Sequence, residues 1–389
     1  MGSGGKPFRS PTINKEFAVN NVRHIASGKD KPRRRRSDIL PAFAMGGPAF
    51  FLLLLFLIGP FFAGIWFSFT DQRMISPNPT QFVGLRNYER LLRLSILPLD
   101  PLVDPQTGQP QRSANGSLEY PRSREFTRDP AKYPQYAGLT EWFNINIGTK
   151  RYVILAGDPS FLRSLGNNIY FSLVVIPLQT LMGLILALLV NQKLKGRTIF
   201  RTLYFAPVVT SMVVVSIVWR FMYDFNNGMI NIFLSNLTLG SFKPINWLGD
   251  PATAMIAIII MSAWQGAGMQ MMLFLAGLQG IPEELYEAAS IDGADTWQKF
   301  LYITLPGLRN TLIFIIITIT IAAFQLFTQV FVMTNGGPND ATTTVMFMMV
   351  RAGWREQDIA YASAIAVVFF LLILVISLIQ RRVLHMEIV

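Results

Sequence analysis

Residues Ala252–Leu278 read ATAMIAIIIMSAWQGAGMQMMLFLAGL and contain no Asp, Glu, Lys, Arg or His. About 20 apolar residues in a helix span the roughly 30 Å of hydrocarbon in a bilayer, so this run is long enough to cross one. Five more stretches qualify: Pro41–Phe69, Asn168–Val190, Phe205–Tyr223, Thr311–Met333 and Ala360–Ile379. Arg220 is their nearest approach to a buried charge, and it lies close enough to a segment end to snorkel to the interface. The sequence therefore predicts an all-α polytopic membrane protein with six transmembrane helices.

Composition agrees. The chain is 51% hydrophobic and 15% charged with a mean hydropathy of +0.37, whereas a soluble domain carries roughly 25% charged residues. It has no cysteine, and its two histidines, His24 and His385, sit far apart in sequence. A disulfide framework, a metal centre and a catalytic cluster are not expected. The net charge of +11 falls beside the apolar runs, as in Arg33–Arg36, which predicts cytoplasmic flanks and no nucleic-acid partner.

Charge also orients the chain. Lys193, Lys195, Arg197 and Arg201 stand without an acid between the second and third segments, and Arg381 and Arg382 follow the sixth. The positive-inside rule then places both termini in the cytoplasm. Residues 1–40 are expected to be a basic cytoplasmic tail, 41–69 the first span, 70–165 an external loop and 166–389 a core with five spans. Within the external loop, Leu99–Tyr136 is rich in Pro, Asp, Arg and Ser, and Tyr152–Leu155 could form a short strand.

The loop Gln279–Arg309 breaks the charge pattern. It should be cytoplasmic, yet it holds Glu283, Glu284, Glu287, Asp292 and Asp295 against Lys299 and Arg309. Pro282 with two acids behind it suits the first turn of a helix. Leu285, Ala288 and Ala289 would share one face of that helix, and Gly293 could end it. A second helical piece, Thr296–Thr304, would then lead to Pro306. On residues alone this is a helical elbow or an ordinary polar loop. The pattern Glu287-Ala288-Ala289, Asp292-Gly293-Ala294, Phe300, Ile303, Leu305, Pro306 resembles the EAA loop of permease subunits from binding-protein-dependent ABC importers. Phe82–Tyr88, Asn246–Pro251 and Thr334–Pro338 are similar to segments of carbohydrate-type permeases, the maltose-type first subunit above all. The likeness covers residues 41–92 and 158–389; residues 93–157 stand out as an insertion.

The resemblance implies the permease fold of type I ABC importers, in a bacterial inner membrane. It implies that residues 280–306 form the element that docks on a separate ATPase, with Glu287 meeting a basic residue there. It further implies a second homologous permease, two ATPase copies carrying ATP and Mg, an external solute-binding protein and surrounding lipid. The chain itself has no G-x-x-x-x-G-K-[ST] and no mid-membrane acid, so neither a P-loop nor proton coupling is expected on it. Uncharged hydrogen-bonding groups near aromatic faces suit a sugar path. Candidates are Ser262, Gln265, Gly266, Met269 and Gln270, then Phe324, Gln325, Thr328 and Gln329; interhelical bonding is the alternative role. Trp264 reads as interfacial packing. Gly336, Gly337 and Pro338 form an external turn, near the binding-protein dock by resemblance. Two other functions stay open: import of a phosphorylated polyol such as glycerol phosphate, and a polytopic membrane transferase. The first should show a basic residue in the cavity and the second an interfacial acid or His cluster.

Overall fold

The computed structural model describes residues 2, 39–106, 108–192 and 196–384. The Arg33–Arg36 run, His24, His385, Lys193 and Lys195 lie outside the described residues. The chain divides into two units at Phe62. In the first, α1 (Ile39–Leu53) passes through a π-helical turn, Leu54–Ile58, into the start of α2 (Gly59–Phe67). Its apolar residues from Phe50 to Leu57 are exposed, as suits a surface solvated by lipid.

The second unit begins with the end of α2 and a polar loop that leads to α3 (Arg86–Leu92). The buried Asn87 of α3 donates to the carbonyls of Ser68 and Thr70 at 2.9 and 2.8 Å, satisfying the end of α2. A small antiparallel sheet follows. Strand β1 (Leu94–Leu99) and β2 (Thr140–Ile147) flank the central β3 (Lys150–Ala156). Leu97, Leu99, Val153 and Leu155 bury one face of it under Leu139, Tyr120, Tyr136 and Phe126, the last from the short helix α4 (Ser123–Thr127). The sequence pointed only to Tyr152–Leu155, inside β3. The other strands were hidden because β2 is exposed along its whole length and β1 contains Pro98. The amide of Gly157 donates to the carbonyl of Arg93 at 2.8 Å, closing the neck below the sheet.

Two long helices form the centre of the bundle. α5 (Pro159–Asn191) and α9 (Pro251–Gln279) both start with Asp-Pro. Asp158 accepts from the amides of Ser160 and Phe161, and Asp250 from that of Ala252, while each proline occupies a position whose amide would be unpaired anyway. With 33 and 29 residues they measure about 50 and 44 Å, enough to cross the bilayer and project beyond it. Small residues let the backbones meet. A Cβ on Gly183 of α5 would lie 2.5 Å from the Cβ of Gln270 in α9, and one on Gly268 would lie 2.2 Å from the carbonyl oxygen of Tyr204.

The third and fifth expected spans are not single straight helices. Phe205–Tyr223 is divided between α6 (Arg197–Val209) and α7 (Met212–Met222), bent by 98°. Pro207 removes a donor near the end of α6, and Thr210 and Ser211 are extended. Beyond the short helix α8 (Met229–Leu237) comes α9, then α10 (Glu283–Ile291), α11 (Thr296–Lys299), a π-turn and α12 (Leu305–Gly307). α13 (Arg309–Phe324) leaves α12 at 64°, stops well short of Met333, and is followed by α14 (Thr328–Met333). The fully buried Asn168 bridges this interruption. It donates to the carbonyl of Phe324 at 3.2 Å and accepts from the amide of Val345 at 2.9 Å, the first residue of α15 (Val345–Val350). The Thr344 hydroxyl donates to Leu326 O at 2.6 Å. α16 (Ile359–Leu384) completes the fold. Among the described residues, four helices are long and apolar enough to cross a membrane, and up to six if each bent pair is one span. Arg220 is exposed and donates to Val332 O at 3.4 Å, capping the end of α14.

Candidate functional site

The elbow between α9 and α13 is built from local rules. Pro282 is the N-cap of α10, one residue earlier than the first-turn position expected, and Glu283 and Glu284 occupy the first turn. The helix ends in a Schellman motif: Gly293, at φ +78°, donates to Ser290 O, and Ala294 donates to Ala289 O at 2.9 Å. Asp295 and Gln298 then form a reciprocal capping box, with bonds of 2.7 and 2.8 Å, that starts α11. Two links tie the arms together. The Lys299 ammonium donates to Ser290 Oγ at 2.8 Å, and Tyr286 and Thr304 share a 3.0 Å hydrogen bond. Ile281 packs on Gly307, where a Cβ would lie 2.8 Å from its Cδ1.

On this frame Glu287, Ala288, Asp292 and Gly293 are exposed, while Ala289 and Ala294 are half-buried. Leu285 is 50% exposed and lines a groove of about 330 Å³ with Tyr302, Ile303 and Pro306. Glu287 has no partner among the described residues. Within the elbow the two arms are joined by side-chain hydrogen bonds, and Glu287 and Asp292 face outward. Sequence reading missed Asp295, Gln298, Tyr286 and Lys299 as the residues that set its shape; the D-x-x-Q spacing was the available signal.

The polar residues of the spans separate. Ser262, Gln265, Gly266 and Gln329 line one cavity of about 120 Å³. Gln265 donates to Pro207 O at 3.3 Å, and the Ser262 hydroxyl is buried without a hydrogen-bond partner. Gln179 of α5 joins them, lying over Gly266, and was missed although it is the same kind of isolated amide in an apolar run. Gln270 is buried at the α5 crossing, its Oε1 unpaired. Met269 and Gln325 are exposed, and Thr328 is half-buried outside the cavity. Phe324 is buried against Phe369, with ring centres 6.0 Å apart. Trp264 packs at 5.4 Å on Trp219.

The turn Gly336-Gly337-Pro338 is held from below. Thr343 donates to Gly336 O at 3.0 Å and Thr342 to Gly337 O at 2.7 Å. Gly336 is buried at φ +87°, where a Cβ would lie 2.8 Å from both Phe347 and Thr343, so glycine is required sterically. Gly337 and Pro338 are half-buried.

Residues 179–385 match the family described as binding-protein-dependent transport system inner membrane component. This chain belongs to that family. A probable ABC transporter permease protein of Bacillus subtilis is 36% identical over 64% of this chain and 87% of its own. The trehalose/maltose transport system permease protein of Thermococcus litoralis is 36% identical over 61% and 79%. Among solved structures, a bacterial alginate ABC transporter in complex with an alginate pentasaccharide-bound periplasmic protein superposes with a TM-score of 0.54, at 23% identity over 59% and 82%. That likeness concerns the fold, which is that of type I ABC importer permeases. The inner membrane component is thus a multi-pass transport subunit and not an enzyme, and the transferase reading falls away.

Proposed function

We propose that this subunit imports a carbohydrate, from mono- to oligosaccharide, or a sugar-like polyol, by alternating access. It would act with a second permease, two ATPase copies and an external solute-binding protein, with both termini in the cytoplasm. ATP and magnesium would be held by the ATPases, and this chain would carry no cofactor. The observation that carries the reading is the elbow, its two arms joined by side-chain hydrogen bonds and Glu287 facing outward. Closure of the ATPase pair would push on α10, and the two links between the arms would pass that motion through α12 into α13.

The sugar assignment draws support from the sugar transport named for the Thermococcus relative and from the uncharged cavity of Gln179, Ser262, Gln265 and Gln329. No cation lines that cavity, which disfavours a phosphorylated polyol. At about 120 Å³ it is below the 300 Å³ or more of ligand sites, so a sugar needs a wider state or a wall from the second permease. Met269, Gln270, Phe324, Gln325 and Thr328 do not line it and would join the path only in that wider state or against the second permease. Gly337 and Pro338 would lie near the binding-protein dock, with Gly336 shaping their turn. The test is Glu287→Lys in the assembled transporter. ATPase association should weaken about tenfold or more while membrane insertion is unchanged. Sugar uptake at the wild-type rate would overturn the coupling role.

A further inference from the structure

Arg201 carries a charge that nothing in the described chain neutralises. Its Nε and Nη2 are closed off from solvent and have no hydrogen-bond partner among the described residues. The side chain as a whole is half-buried, and since a guanidinium cannot discharge by losing a proton, two donors closed off without an acceptor are costly. The neighbouring helix cannot supply one. Gln265 meets Pro207 and Gly268 meets Tyr204, and continuing this antiparallel register brings Arg201 beside Met271, Met272 and Leu275, all apolar. The first turn of α6 contains no acid. Arg197, one helical turn before Arg201 and half-buried, also lacks a partner among the described residues, so two like charges stand at i and i+4. Beside them Phe200 and Tyr204 form an exposed stacked pair, with centroids 6.4 Å apart.

We propose that Arg201 and Arg197 hold the phosphate of an anionic phospholipid headgroup, with its acyl chain lying along Phe200 and Tyr204. Two guanidinium groups recognise phosphate oxygens, and exposed aromatics at the same helical level mark a membrane interface. A free phosphate would answer the charge and leave the aromatic pair uncovered. A carboxylate from another subunit would answer it without any lipid.

The whole transporter is purified and placed in nanodiscs of phosphatidylcholine with and without phosphatidylglycerol. The lipid retained after mild delipidation is counted by native mass spectrometry, and thermal unfolding is followed. Phosphatidylglycerol should raise the unfolding midpoint where phosphatidylcholine plus inorganic phosphate does not. Arg201→Gln should retain it about tenfold less well, Arg201→Lys should keep part of the retention, and Arg381→Gln, an exposed arginine of α16, should keep all of it. If Arg201→Gln fails to assemble, the wild-type comparison still decides. Equal stability in both lipids, full retention in Arg201→Gln, or equal stabilisation by inorganic phosphate each overturns the proposal. So does loss of a subunit in Arg201→Gln without any lipid dependence.

Discussion

Replacing Asn168 by leucine tests whether one side chain holds the interruption that follows α13. The shapes are close, so little packing is lost, but two backbone groups lose their partners. These are the carbonyl of Phe324, bonded at 3.2 Å, and the amide of Val345, bonded at 2.9 Å. Each orphaned buried group costs about 1–3 kcal/mol, and polar bonds between membrane helices tend to the low end. The expected loss is therefore about 2–4 kcal/mol. At about 2–4 °C per kcal/mol for a unit of this size, the unfolding midpoint should fall by about 5–15 °C. Asn168→Asp keeps the acceptor for Val345 but sets a buried carboxylate oxygen against the Phe324 carbonyl, so it should fall at least as far. Differential scanning fluorimetry of the purified transporter in one fixed detergent gives both numbers. A midpoint for Asn168→Leu within a degree of wild type, with the fold intact, would show that the interruption is held by other contacts and refute the reasoning.

Three further outcomes are expected. Gly183→Leu places its Cβ 2.5 Å from that of Gln270 and close to the α9 backbone, so α5 and α9 must separate; the cost should exceed about 3 kcal/mol and appear as aggregation in size-exclusion chromatography. Gly293→Val forces a β-branched residue to φ +78°, costing about 1–2 kcal/mol at the elbow, and should lower sugar-stimulated ATPase activity while membrane insertion stays normal. In the three-stranded sheet, hydrogen bonds from Ser123 and Asn144, and more weakly the charges of Arg151 and Arg124, hold the Glu141 carboxyl below its ordinary value of 4.5 against the opposing effect of burial. A depressed folded pKa stabilises above the unfolded value and is lost as pH falls through the folded one. Hydrogen-exchange protection factors in Thr140–Ala156, corrected for the intrinsic pH dependence of exchange, should therefore fall below about pH 4.5 in wild type and depend less on pH in Glu141→Gln.

Hydropathy and charge made the spans legible because lipid imposes one strong rule on every turn of a helix. The bends were not legible. An apolar run such as Thr311–Met333 reads the same whether its helix continues or breaks after Phe324, since the decision rests on bonds that Asn168 makes from another helix. The elbow was readable in outline because Gly293 and the acids at Glu283 and Glu284 are local signals. Its bracing by Lys299 and Tyr286 was not, because those bonds join residues on two arms whose angle is set by packing. Helical spacing grouped Gln265 with Met269 and Gln270, yet α9 turns Gln265 toward α6 and Gln270 toward α5 and leaves Met269 exposed. Periodicity assigns residues to a face of a helix but does not say which helix each face meets.

The closed neck at Arg93 and Gly157 also bears on how such a chain can change over generations. Leu94 pairs with Ala156, so the sheet begins and ends at adjacent points, and the chain enters and leaves it through one hydrogen-bonded pair. A segment attached in this way can be lengthened, exchanged or removed while the helices keep their spacing. The sheet is thereby free to diverge at a different pace from the helical bundle.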